Sequence, residues 1–370
     1  MSEHFFKTLK IERFRGIQSL EIGGLERVNL FVGKNNCGKT SVLEAAFLLV
    51  GISNPELIVQ HQGRRGIIPG ESSALRDFFY QREHESGINL SCTQVKEQRT
   101  LEICPLYGNL RLGQPSGSSS TVPEDGGTKR ASQLDIGASI SRQSLIGLKY
   151  RFTVHDRAHK DGYHEATIHW TDHFNKPFSF SRDANYKEAI LAIYLSKTGY
   201  DYNSVDRMLD AKQKDLLLSV LKSIDPKVED IKTGSHSLVS VDIGLDSFVP
   251  VNLLGDGIIR ILQILSTIEY VPNGILFIDE IENGLHVTAL ERLWEVILDR
   301  SEKSNVQIFL TTHSADVIES LRNVLDRKSS SDSVACYRLV KFAEDDMTHA
   351  FRYSSEQLGL ALDSHTDIRL

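Results

Sequence analysis

The sequence predicts an α/β fold interrupted by a large insertion, and three observations carry that expectation. Near the N-terminus a nearly continuous apolar run, "VNLFV", meets a glycine-rich loop and then the helical "KTSVLEAAFLLVG". Such a run reads as a strand buried on both faces of a sheet. After Val251 the same alternation returns: "ILFIDE" as strand, "HVTALERLWEVILDR" as helix, "VQIFLTTHS" as strand, "ADVIESLRNVL" as helix. Between these halves, from about Leu75 to Ser240, the pattern changes to the period-two alternation of antiparallel strands.

In chain order, "FFKTLKIERFRGIQSLEIGG" alternates apolar and polar residues and is expected to form strands, with a turn at Gly23-Gly24. The helix after "VNLFV" should stop at Gly51, a residue type that ends helices readily. "GINLSCTQVKEQRTLEI" and "LIGLKYRFTVHD" with "YHEATIHW" read as antiparallel strands, and "GQPSGSSSTVPEDGGTKRASQ" as a low-complexity loop. "NYKEAILAIYL" and "NSVDRMLDAKQKDLLLSVLKSI" have helical spacing, and "VACYRLVKFAEDDMTHAFRYS" reads as a hairpin turning at Glu344-Asp345-Asp346. The resulting division is residues 1–75 and 241–330 as the two parts of a core, 76–240 as a mixed β/α insertion lobe, and 331–370 as a C-terminal hairpin and tail.

Composition narrows the class. The chain has 370 residues, 40% hydrophobic and 25% charged, as expected of a globular protein. A formal net charge of -7 provides no global attraction for nucleic acid or an anionic membrane, although a local basic groove is compatible with that total. The four cysteines, Cys37, Cys92, Cys104 and Cys336, form no C-x-x-C pair and match no zinc spacing, so free thiols in a reducing cytoplasm are expected. No leader pattern or membrane-spanning apolar run is evident, and a soluble protein with no membrane partner is expected.

The chemistry is concentrated in three motifs. "GKNNCGKTS" fits G-x-x-x-x-G-K-[ST] between a buried strand and a helix, the context that a phosphate-binding loop requires. Gly33 and Gly38 let the backbone curl so that the N–H groups of Gly33, Lys34, Asn35, Asn36, Cys37, Gly38, Lys39, Thr40 and Ser41 can surround phosphate oxygens. Lys39 is expected to neutralise the β- and γ-phosphates and the Thr40 hydroxyl to ligate Mg²⁺. Asp279 ends a buried strand, where a bare charge is costly, and a shared Mg²⁺ would offset it. Glu280 follows and could orient or activate water. His313 closes another apolar strand, at the end of the sheet where α/β folds bind ligands, within reach of a γ-phosphate or the attacking water. A fourth stretch, "LLGDGIIRIL", places Gly255, Asp256 and Gly257 at a helix N-terminus, a second anion-binding surface. One chain already wraps its own nucleotide, so this spare surface makes sense against the nucleotide of another subunit across a two-fold interface.

The order phosphate loop, insertion, signature, "IDEIENGLH", "TTHS" resembles the ABC-type ATPases, and within them the OLD-related ATP-binding proteins and their RecF/SMC-like cousins. "IERFRGIQSLEI" resembles the family's first strand and turn, and "SSEQLGLALDSHTDIRL" the ending of stand-alone members. The resemblance covers roughly residues 1–75 and 245–370 and implies a P-loop ABC-ATPase head. It implies ATP and Mg²⁺ as cofactors and an ATP-sandwich dimer in which Gly255, Asp256 and Gly257 meet the partner's γ-phosphate. Glu280 would then be the catalytic carboxylate and His313 the switch histidine. The chain departs from the family in Val287, where proline usually follows "GLH", and in Gly255-Asp256, which replace the transporter-type serine. The usual glutamine after the first helix has only Gln81 as a candidate. No D-x-D cluster follows His313, so an ATPase without its own Toprim nuclease is expected. The resemblance further suggests a slow ATPase acting on a separate effector such as a nuclease, with phage defence a frequent setting. The alternative is a RecF/SMC-like clamp on nucleic acid. A degenerate scaffold is opposed by the intact Lys39, Asp279, Glu280 and His313.

Weaker signals remain. His155, His159, His164, His169 and His173 are either a metal site or a polar surface; period-two alternation and the absence of cysteine favour the surface. Arg64-Arg65 and Lys129-Arg130 read as solvated turns or contacts to a phosphate backbone. Arg13 and Arg15 are a surface pair or lie near the nucleotide. Cys37 is a small filler, or a redox-sensitive thiol if the loop acidifies it.

Overall fold

The computed structural model describes residues 5–67, 72–108, 144–156, 163–171, 177–196, 203–234, 239–328, 333–342 and 347–363. The chain begins with strands β1 (Phe6–Phe14), β2 (Ile17–Gly23) and β3 (Val28–Val32), followed by helices α1 (Lys39–Val50) and α2 (Glu56–Arg64). The β1–β2 hairpin turns at Arg15-Gly16, not at the expected Gly23-Gly24, because pairing of Phe14 with Ile17 leaves two residues to reverse the chain. Arg15 accepts the left-handed conformation (φ 52°) that such a turn requires.

Five strands of the middle segment follow: β4 (Ile88–Gln94), β5 (Glu97–Gly108), β6 (Ser144–Asp156), β7 (His164–Trp170) and β8 (Phe178–Ser181). With the first hairpin they form one antiparallel sheet in the order β2-β1-β4-β5-β6-β7-β8. Residues 1–75 and 76–240 therefore share a sheet, joined where Ile11 of β1 faces Leu90 of β4.

A second sheet contains the core strands. Its members are β3, β9 (Ala192–Leu195), β13 (Ile275–Ile278), β14 (Gln307–Thr311), β15 (Val334–Lys341) and β16 (Thr348–Tyr353), in the order β16-β15-β3-β14-β13-β9. All pairs are parallel except β15–β16, the expected C-terminal hairpin. Its expected turn, Glu344-Asp345-Asp346, falls outside the described residues, as do the loop "GQPSGSSSTVPEDGGTKRASQ" and Lys129-Arg130. Between β9 and β13 a small three-stranded sheet forms from β10 (Asp230–Thr233), β11 (Val239–Asp242) and β12 (Val249–Pro250).

"NYKEAILAIYL" is not a helix. Its last residues are β9, paired in parallel with β13 from Ala192–Ile275 to Leu195–Ile278. The short apolar run "AIYL" satisfies either period, and pairing with a buried parallel strand decides between them. β9 also places part of the supposed lobe in the core sheet. "NSVDRMLDAKQKDLLLSVLKSI" divides into α3 (Asn203–Asp210) and α4 (Lys214–Ile224), separated at Lys212, which has φ 59°.

Helix α1 lies between the two sheets. Ten of its twelve residues, Ser41 to Val50, are buried, as a helix apolar on all sides requires. Its Phe47 packs edge-on against Phe277 of the parallel sheet and Tyr194 of β9. The opposite face of the parallel sheet is covered by α3, α4, α5 (Asp256–Tyr270), α6 (Val287–Lys303) and α7 (Ala315–Lys328), with Leu358 of α8 (Ser355–Asp363) at its edge. Trp294 of α6 is fully buried there and donates its indole N–H to the Val317 carbonyl at 3.0 Å. No helix among the described residues is long and apolar enough to cross a membrane.

Candidate nucleotide-binding site

The site lies at the C-terminal ends of β3, β14 and β13, three adjacent parallel strands. Open α/β sheets bind ligands at this edge because the loops leaving the strands converge there. An open cleft of about 390 Å³ is lined by Asn35, Asn36, Gly38 to Ser41, Arg65, Asp279, Glu280, Thr311 and His313.

The loop after β3 is shaped by its glycines. Gly33 has φ 145°, and a Cβ there would lie 2.5 Å from the Leu339 carbonyl oxygen and 2.8 Å from Cys37 Sγ, so only glycine fits. Gly38 (φ 101°) supplies the left-handed residue before α1, and Asn36 (φ 66°) is of the type that tolerates that region. The Lys39 ammonium donates to the carbonyls of Gly33 (2.7 Å) and Lys34 (2.9 Å), which folds it back across the loop. Lys34, Asn35 and Asn36 are exposed, whereas Cys37 and Ser41 are buried. Burial pushes the Cys37 thiol up despite the nearby Lys39 charge, as expected of a small filler residue.

The acidic wall is built on β13 and β14. Asp279 is 6% exposed and its carboxylate accepts hydrogen bonds from Thr311 Oγ1 (2.6 Å) and Thr40 Oγ1 (3.1 and 3.2 Å to the two oxygens). Thr40 begins α1, so these contacts join the phosphate loop to the end of β13. A hydroxyl and a carboxylate facing each other form an all-oxygen donor set that suits Mg²⁺ and offers nothing to a softer metal. The two residues expected to hold the ion are therefore brought together.

Glu280 has φ 49°, an uncommon conformation for a residue other than glycine. It is held by its own N–H donating to Thr311 Oγ1 (2.8 Å) and by Ile281 N–H donating to the Thr311 carbonyl (3.0 Å). Strain of this kind persists where surrounding contacts over-determine it, and it turns Glu280 into the cleft. His313 lies across from it. Glu282, one turn residue beyond Ile281, faces His313 Nδ1 through Oε1 at 2.9 Å, and the same oxygen accepts the His313 backbone N–H at 2.9 Å.

Gly255, Asp256 and Gly257 stand outside this cleft's lining. Gly255 precedes α5 with φ 112°, and a Cβ on it would meet open space. A Cβ on Gly257 would lie 3.2 Å from the Gly284 carbonyl oxygen, and one on Gly284 would lie 2.8 Å from Asp256 Cβ. The signature therefore packs on the turn that carries Glu280 and Glu282. Arg260 of α5 strengthens that link by donating to the Asp279 carbonyl at 3.1 Å. Neighbouring Leu253 and Val287 are exposed.

Two further residues stand at the cleft that the sequence did not assign to it. Arg65, read there as a solvated turn or a nucleic-acid contact, lines the cleft and makes a bidentate contact with Glu44 of α1 (2.9 and 3.0 Å). Glu44 is 2% exposed and also meets Arg15 Nε at 2.5 Å. Burial pulls Arg65 down, but the hydrogen bond and charge of Glu44 outweigh it and leave Arg65 above its usual value. Arg15 is the opposite case: burial prevails over Glu44 and lowers it to about 10. Buried His61 lies 3.8 Å from Glu44, yet its pKa is well below 6.5 because of burial and the charges of Arg64, Arg15 and Arg65. Glu282 is the second missed residue; its signal, an acid two positions after Glu280, becomes informative only once the turn is folded.

The remaining candidates lie elsewhere. Gln81 donates to Tyr80 Oη at 3.0 Å and is not in the cleft lining, and Arg13 donates to the Gly87 carbonyl. His164 pairs with Asp183 (2.7 Å), and no group of three metal-ligating side chains occurs among the described residues; His159 and His173 fall outside them.

Residues 28–319 match the AAA_21 family, described as "AAA domain, putative AbiEii toxin, Type IV TA system". An "ATP/GTP phosphatase" of Helicobacter pylori is 23% identical over 341 residues, covering 87% of this chain and 89% of that protein. Among solved structures, an SMC head bound to the C-winged helix domain of ScpA has 9% identity and a TM-score of 0.48, with 96% of this chain and 99% of that chain covered. The SMC head domain from Thermotoga maritima has 12% identity and a TM-score of 0.43, with 94% and 99% covered. With a family match over most of its length and the phosphate loop, acidic strand end and histidine gathered in one cleft, the chain belongs to the AAA_21 family of P-loop ATPase domains.

Proposed function

We propose that this protein is a Mg²⁺-dependent ATPase that works as a switch: ATP closes two copies into a sandwich, and closure controls a separate effector. The observation that carries the reading is the contact of Thr40 with Asp279 beside Glu280 and His313, since it gathers phosphate, metal and water ligands at one point. The loop from Gly33 to Ser41 surrounds the phosphates with backbone N–H groups, and Lys39 exchanges its contacts with Gly33 and Lys34 for phosphate oxygens. Thr40 and Asp279 would hold Mg²⁺, which would supply a Lewis acid that offsets phosphate charge. Glu280 orients the attacking water and takes its proton, and His313 accepts a hydrogen bond from the same water. Arg65, held by Glu44, adds a second cation to the phosphate wall.

The signature of a second copy completes the site. Gly255, Asp256 and Gly257 offer a helix N-terminus outside the lining of their own chain's cleft, flanked by exposed Leu253 and Val287. The setting proposed for the effector, a nuclease in phage defence, rests on the OLD-like motifs alone. Glu280→Gln should retain ATP binding while hydrolysis falls by about 10²–10⁴-fold. Release of phosphate from Mg-ATP by the variant at the wild-type rate would remove Glu280 from this role.

A further inference from the structure

We infer that Glu282 is a positioning residue for His313, setting both the orientation and the tautomer of its imidazole. The inference rests on the proposed water-facing role of His313 and extends it to a second acidic residue of "IDEIENGLH".

One oxygen, Glu282 Oε1, lies 2.9 Å from His313 Nδ1 and accepts the His313 backbone N–H at 2.9 Å. A ring and a main chain held by the same acceptor leave the imidazole little rotational freedom. A carboxylate facing Nδ1 selects the tautomer with its proton there. Nε2 then carries the lone pair and can accept a hydrogen bond from the attacking water. The Glu282 side chain is 13% exposed, against 52% for His313, so the acid is the fixed member of the pair. Its second oxygen is buried and has no hydrogen-bond partner, a cost that an ordinary surface ion pair does not incur. The turn is pinned on both sides: Glu280 and Ile281 are bonded to Thr311, and Leu285 N–H donates to the Glu282 carbonyl at 2.9 Å. The same arrangement orients histidines that serve metals or nucleophiles, where a carboxylate on one ring nitrogen sets the action of the other.

The test uses the full chain with Glu282→Ala, Glu282→Gln, His313→Ala and the double variant Glu282→Ala/His313→Ala. Glu282→Ala should lower kcat for Mg-ATP by about 10–100-fold with little change in KM. Glu282→Gln keeps an acceptor for both donors and should recover most of the rate. Adding Glu282→Ala to His313→Ala should cost nothing further, because the two residues act as one unit. Two-bond ¹⁵N–¹H spectra of histidine-labelled protein should show the His313 ring protonated at Nδ1 in wild type and redistributed between the nitrogens in Glu282→Ala. Additive losses in the double variant, or an unchanged tautomer in Glu282→Ala, would overturn the proposal. A wild-type protein that hydrolyses no ATP would instead overturn the ATPase reading. The tautomer measurement still judges Glu282 in that case.

Discussion

The two surfaces proposed to meet phosphate are assembled to different degrees. The first is finished: the phosphate loop, Asp279, Glu280, Thr311 and His313 line one cleft, and Thr40 reaches Asp279 across it. The second, at Gly255-Asp256-Gly257, has a helix N-terminus, with open space at Gly255 and no facing wall seen there among the described residues. They are not independent, because the signature packs against Gly284 and Arg260 reaches the Asp279 carbonyl. A nucleotide of another copy meeting the second surface would press on the turn that holds Glu280 and Glu282. In the proposed sandwich, the finished cleft is half of a functional unit.

The largest effect should come from breaking the finished surface. Lys39→Ala removes its central cation, and nucleotide affinity should fall by about 10–100-fold, the worth of a charge-assisted contact. Isothermal titration with a non-hydrolysable ATP analogue measures this, and unchanged affinity would refute the loop assignment. Arg65→Ala should act in the same direction but less, by about 3–10-fold, because Arg65 is shared with Glu44 and partly exposed. Arg65→Lys loses the bidentate fork and should not restore the contact with Glu44.

A smaller effect sharpens the comparison from behind the loop, where Glu44 gathers Arg15, Arg65 and His61. The folded pKa of His61 lies below the ordinary 6.5, so on acidification the unfolded chain takes up the proton first. The stability contributed by neutral His61 is full above about pH 6.5 and is lost below it, by up to about 1.4 kcal/mol per pH unit. His61→Phe, which keeps a ring against Phe47 and Tyr194, should lose less stability than wild type between pH 6.5 and 5 in urea melts. Identical pH profiles would show that His61 is not the group concerned.

Much of the first surface was legible in sequence, because its parts are local: a nine-residue loop and two strand ends marked by apolar runs. What was not legible depends on distant pairing. The β9 strand in "NYKEAILAIYL" exists only because β13 lies beside it, some 80 residues later. The hairpin turn at Arg15-Gly16 was hidden by the stronger glycine signal at Gly23-Gly24. The joining of β1 to β4 merges segments that composition separates. Arg65 looked like a solvated turn because its partner, Glu44, sits in the middle of an apolar helix, and Glu282 acquires meaning only from the fold of the turn that sets it beside His313.

The most direct test of the central claim is the mass of the Glu280→Gln protein in solution, by light scattering, with and without Mg-ATP. The account predicts one subunit without nucleotide and two with it, and a return to one subunit when Asp256 is also replaced by Phe. A mass that ATP leaves unchanged would contradict closure across the signature, and with it the role assigned to the second surface.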